Sequence, residues 1–85
     1  MAKILIAEDE VVIAMMLESM VESIGHDVVS KTRSGDETVQ EVRKRNPEVV
    51  LMDISMDHEE DGIDACRRIK HQHPGVKVIF MTAYP

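Results

Sequence analysis

Cysteine, aromatic residues and positive charge are all scarce in this sequence. Cys66 is the one cysteine, so no internal disulfide forms, and the chain reads as the product of a reducing, cytoplasmic compartment. Phe80 and Tyr84 are the only aromatics and tryptophan is absent, which leaves little to stack on single-stranded nucleic acid. Ten Lys and Arg stand against sixteen Asp and Glu, a formal net charge of -6. That sign is wrong for gripping a phosphate backbone or an anionic membrane directly, and a small cation suits it better. No apolar stretch has the length and flanks of a signal peptide or a membrane span. The glycines Gly25, Gly35, Gly62 and Gly75 form neither a Walker loop nor a dinucleotide fingerprint.

What is present is a globular composition, 44% hydrophobic and 31% charged, over 85 residues, enough for one small domain. Lys3-Ile4-Leu5-Ile6-Ala7 is a short apolar run of the kind buried on both faces of a parallel sheet. From Val11 to Ile24 the spacing becomes helical, with Ile13, Leu17, Met20 and Ile24 predicted inward and Gly25 as the stop. Residues 27–31 predict a second strand and 35–45 a second helix, with Val39 and Val42 inward, a Glu41/Arg45 pair, and Asn46-Pro47 as the terminator. Residues 48–52 predict a third strand and 62–71 a third helix, burying Ile63, Cys66 and Ile69; residues 76–81 predict a fourth strand. This βαβαβαβ alternation indicates an α/β fold, a doubly wound parallel sheet with right-handed crossovers.

In such sheets ligands bind at the carboxyl ends of the strands. Glu8 and Asp9 follow the first strand, Asp53 the third and Thr82 the fourth, so one rim collects three acids and a hydroxyl. Adjacent strands lie about 4.8 Å apart, and two carboxylates at about 5 Å repel by about 3 kcal/mol at an effective dielectric of 20. Either one carboxyl keeps its proton or a cation sits among them. An oxygen-only donor set selects Mg2+, Mn2+ or Ca2+ over zinc.

Four segments together resemble the receiver domain of two-component response regulators: Lys3-Ile4-Leu5-Ile6-Ala7-Glu8-Asp9-Glu10, Pro47 through Met56, Asp61-Gly62-Ile63-Asp64, and Met81-Thr82-Ala83-Tyr84. The resemblance implies a flavodoxin-like topology with strand order 2-1-3-4. It implies that Asp53 is the phosphoacceptor, that Glu8, Asp9, Asp53 and the Ser55 carbonyl hold Mg2+ (or Mn2+), and that Thr82 is a switch hydroxyl, with Tyr84 nearby. It implies a histidine kinase or phosphotransfer protein as partner, and no enzyme activity beyond assisting phosphorylation and dephosphorylation of its own Asp53. The family's usual proline four residues after the phosphoacceptor is Asp57 here, and the loop to Asp61-Gly62 is one residue longer than the commonest form.

Residues 1–85 read as a receiver truncated after its fourth strand, lacking the family's fourth helix, lysine-bearing fifth strand and fifth helix. A second function follows from that reading: a module not competent for phosphorylation that forms a homo-oligomer or binds a partner through its exposed fourth strand. Other features take plainer readings. The acidic run Asp57-x-Glu59-x-Asp61-Gly62 imitates a calcium loop, but Arg68 holds the position that needs a bidentate Glu. Asp53-Ile54-Ser55 lacks the second acid that an aspartyl-phosphate hydrolase wants. His58, His71 and His73 lack ligand spacing, Arg43-Lys44-Arg45 suits a helix C-terminus, and Cys66 and the seven Met read as core filler.

Overall fold

The computed structural model describes residues 1–54, 56 and 61–81. Four parallel strands, β1 (Lys3–Ala7), β2 (Asp27–Thr32), β3 (Val49–Asp53) and β4 (Lys77–Met81), alternate with α1 (Val11–Ser23), α2 (Gly35–Arg45) and α3 (Asp61–Gln72). The sheet order is β2-β1-β3-β4, as the resemblance implies. A register shift between Ile4 and Leu5 places one extra residue in β2.

Period-two alternation divides β1 between two cores. Leu5 and Ala7 face α2 and α3, packing with Val39, Val42, Val50, Met52, Ala65 and Ile69. Ile4 and Ile6 face α1, packing with Ala14 and Val21, and Leu17, Val28, Val49 and Leu51 close over them. Helices on both faces are what allow a parallel strand to be apolar throughout.

Helix α2 is specified locally at both ends. The Ser34 hydroxyl accepts from the Glu37 N–H at 3.2 Å, and the Glu37 carboxylate accepts from the Arg33 N–H at 2.8 Å, a capping arrangement legible as Ser-x-x-Glu. Asn46 closes the helix in the left-handed region at φ 49. Arg43, Lys44 and Arg45 occupy its last turn. The Ser30 hydroxyl donates to Glu41 at 2.8 Å and is the main reason that carboxyl sits below the usual carboxylate range, with Arg45 adding to it; this ties β2 to α2.

The inward face of α1 differs from the expectation. Ala14 and Val21 are buried, whereas Met20 is 61% and Ile24 72% exposed. The cause is a helix apolar nearly all round, with Val11, Val12, Met15 and Met16 also exposed, so hydrophobic spacing alone does not select the buried stripe. Two further expectations are corrected in the same way. In α3 the buried positions are Ala65 and Ile69, with Cys66 half-buried and Ile63 exposed. Of the methionines, Met52 and Met56 fill core while Met1, Met15, Met16 and Met20 do not. Strand and helix ends otherwise agree with the sequence to within a residue or two.

Replacing the fully buried Leu5 by Ala is expected to cost about 3 kcal/mol of unfolding free energy. Met20→Ala is expected to stay within about 0.5 kcal/mol of wild type. Urea unfolding followed by far-UV circular dichroism checks both, and a large loss for Met20→Ala would return that side chain to the core.

Candidate phosphoacceptor and metal site

The carboxyl ends of β1 and β3 are neighbours because the two strands pair directly, with Ala7 opposite Met52. The next residues on each strand are therefore Glu8 and Asp53, and the turn into α1 adds Asp9. One carboxylate oxygen from each of Glu8, Asp9 and Asp53 lies within 4.8 Å of the others. Glu8 is 7% and Asp53 8% exposed, while Asp9 is half-buried. Three acids that the sequence separates by up to 45 positions thus form one site.

The local chain holds Glu8 from two sides. Its backbone N–H donates to the Thr32 carbonyl at the end of β2, at 2.9 Å. Its carboxylate accepts from the Glu10 N–H at 3.0 Å. Burial pushes the Glu8 carboxyl up to about 7; the Glu10 N–H opposes this, while the Asp53 charge and hydrogen bonds with Asp9 and Asp53 reinforce it. Of the two remedies for crowding that the sequence leaves open, a retained proton on Glu8 therefore relieves the repulsion when no cation is bound. An oxygen-only cluster of this size and sign fits a hard divalent cation, which would replace that proton.

Asp53 is also positioned from the far side. It pairs with Met81 at the end of β4, and the Ile54 N–H donates to the Met81 carbonyl at 3.1 Å. Thr82 is the next residue along, but Thr82, Ser55 and Tyr84, like residues 57–60 of the acidic loop, lie outside the described residues. At the start of α3, Gly62 meets the Asp53 backbone so closely that a Cβ there would stand 2.7 Å from the Asp53 carbonyl oxygen. The sequence offers Asp61-Gly62 as a motif without showing that contact. It also gives no signal for the Glu8 to Thr32 bond, because strand neighbours are set by tertiary pairing.

Residues 4–85 match the family model described as the response regulator receiver domain. The chain belongs to the response regulator receiver family. It is 40% identical over 84 residues to the phyllosphere-induced regulator PhyR of Methylorubrum extorquens, covering 98% of this chain and 31% of that protein. It is 33% identical over 81 residues to the chemotaxis protein CheY of Thermotoga maritima, covering 95% and 67%. The anti-anti-sigma factor PhyR of Bartonella quintana, solved in complex with the anti-sigma factor NepR, superposes with a TM-score of 0.88 at 41% identity, covering 99% of this chain and 35% of that one. The receiver therefore spans less than half the length of either PhyR protein. Its part in two-component signalling follows from family membership.

Two predictions follow from this geometry. With divalent cations chelated, unfolding free energy is expected to fall as pH rises from about 4.5 to about 7: the folded state keeps the Glu8 proton over that window and the unfolded state has lost it. Glu8→Gln should flatten that limb, and an unchanged pH profile would remove Glu8 as its source. Gly62→Ala should cost roughly 1–3 kcal/mol by overpacking against Asp53, read from the urea midpoint; a neutral result would show that α3 gives way freely.

Proposed function

We propose that this receiver accepts a phosphoryl group on Asp53 from a histidine kinase or phosphotransfer protein, with Mg2+ held by Glu8, Asp9, Asp53 and the Ser55 carbonyl. The observation that carries the reading is the meeting of three carboxylates within 4.8 Å at the ends of two paired strands. Bound Mg2+ supplies positive charge that offsets these acids and the oxygens of the transferring phosphoryl group.

The chain's own residues do the rest. Asp53 presents a carboxylate oxygen from the end of a central strand, where pairing to β1 and β4 fixes its backbone for in-line attack. The new O–P bond forms as the N–P bond of the donor phosphohistidine breaks, and the bonding pair returns to the imidazole, which takes a proton from solvent. Asp53 is left as an acyl phosphate carrying about -1.5 to -2 of charge by analogy with phosphoserine. Thr82, one residue beyond the Met81 that pairs with Asp53, is the hydroxyl we assign to answer that charge. The chain performs no other chemistry in this reading.

A second reading concerns partners. β4 is an edge of the described sheet, and its Ile79 and Phe80 are 51% and 42% exposed. An apolar strand edge is a template for pairing, here with a second copy of the chain. The Bartonella quintana PhyR, 35% of whose chain this receiver covers, is itself solved with a protein partner, NepR.

Incubation with Mg2+ and a small acyl phosphate donor is expected to add the mass of one phosphoryl group to the wild type and none to Asp53→Asn. A folded, Mg2+-binding wild type that gains no mass would sink the first reading. Light scattering on a sizing column is expected to show a dimer that dissociates on dilution; a monomer at every concentration removes the second.

A further inference from the structure

Behind the acidic site lies a pair of hydroxyls that the chemistry above does not use. Thr32, the last residue of β2, is 1% exposed, and Thr38, in the second turn of α2, is 0% exposed. Their Oγ1 atoms are 2.6 Å apart. Thr38 Oγ1 also donates to the Ser34 carbonyl at 2.7 Å. A hydroxyl has one proton to give, so Thr32 donates to Thr38, and each group is satisfied. The bond closes the short loop between β2 and α2 and sets their separation. Two methyl groups in the same place would stand about 3.5–4.0 Å apart, roughly an ångström farther than the two oxygens.

Thr32 also carries the carbonyl that accepts the Glu8 N–H, and it pairs with Ala7 at the end of β1. A side chain anchored by a short buried hydrogen bond restricts rotation of its own peptide plane. The acceptor for Glu8 is held in place from α2, two hydrogen bonds away from the cluster.

We infer that Thr32 and Thr38 are positioning residues for the acidic site: their hydroxyl pair fixes the Thr32 carbonyl, which in turn fixes the backbone of Glu8 and so the reach of its carboxylate. The consequence for Mg2+ rests on the metal reading given above. The consequence for the Glu8 backbone does not.

The test is the double variant Thr32→Val plus Thr38→Val, with Thr32→Ser as the conservative control. Removing both hydroxyls leaves no buried group unpaired, so the urea midpoint is expected to stay near wild type. The Glu8 amide should nonetheless exchange with deuterium faster by about tenfold, while the Leu5 amide, deeper in the same strand, keeps its rate. Mg2+ affinity by calorimetry should fall by about tenfold, the scale seen when an outer partner of a metal ligand is removed. Thr32→Ser should restore both values. Unchanged Glu8 exchange in a folded double variant overturns the inference and leaves the threonines as packing alone. A wild type that binds no Mg2+ fails the metal reading, and Glu8 exchange still decides the role of the pair.

Discussion

Mutual repulsion among three carboxylates organises this structure. Glu8, Asp9 and Asp53 are brought together because β1 and β3 pair in parallel and end at the same level, and a parallel sheet gives no other outcome for residues that follow its strands. Burial sharpens the conflict, since Glu8 and Asp53 have little water to screen them, and it is relieved either by a proton kept on Glu8 or by a cation. The surrounding structure is a set of restraints that keep the acids in place despite that conflict. The Glu10 N–H and the Thr32 carbonyl hold Glu8, and β4 and Gly62 hold the Asp53 backbone. A site under such tension is sensitive to any incoming positive charge.

Much of this architecture was legible in the residues. The runs at residues 3–7 and 48–52 announce buried parallel strands, and each is followed directly by acid, so fold and candidate site come from the same pattern. The limits of α2 were legible as well, because the Asn46-Pro47 signal at its end is local, and the Ser34 and Glu37 cap at its start is local too, although the sequence expectation did not rest on it. Where the reading failed, the information was not local. Helix α1 carries apolar side chains around most of its circumference, and only the position of the sheet chooses Ala14 and Val21 over Met20 and Ile24. In α3 the buried positions are Ala65 and Ile69, and Ile63 is left exposed.

The two threonines at the β2–α2 junction illustrate a different blind spot. Periodicity counts apolar residues, and Thr32 and Thr38 register there as neutral, yet they are among the most completely buried side chains of the described residues. Satisfied buried hydroxyls specify a distance that apolar packing leaves loose. The clustered acids stand out by charge and place in the sequence; what holds them at their separation does not.

The contact between Gly62 and the Asp53 carbonyl leaves no slack at the junction of β3 and α3. Close-packed interiors have low compressibility, so a shift of that peptide is passed on rather than absorbed. Helix α3 packs on α2 through the core shared by Val39, Val42, Ala65 and Ile69, and Arg68 bonds Asp36 at 2.8 Å on the exposed side. Gly62 is therefore the point at which any shift at the end of β3 meets α3, a helix of about three turns lying beside α2.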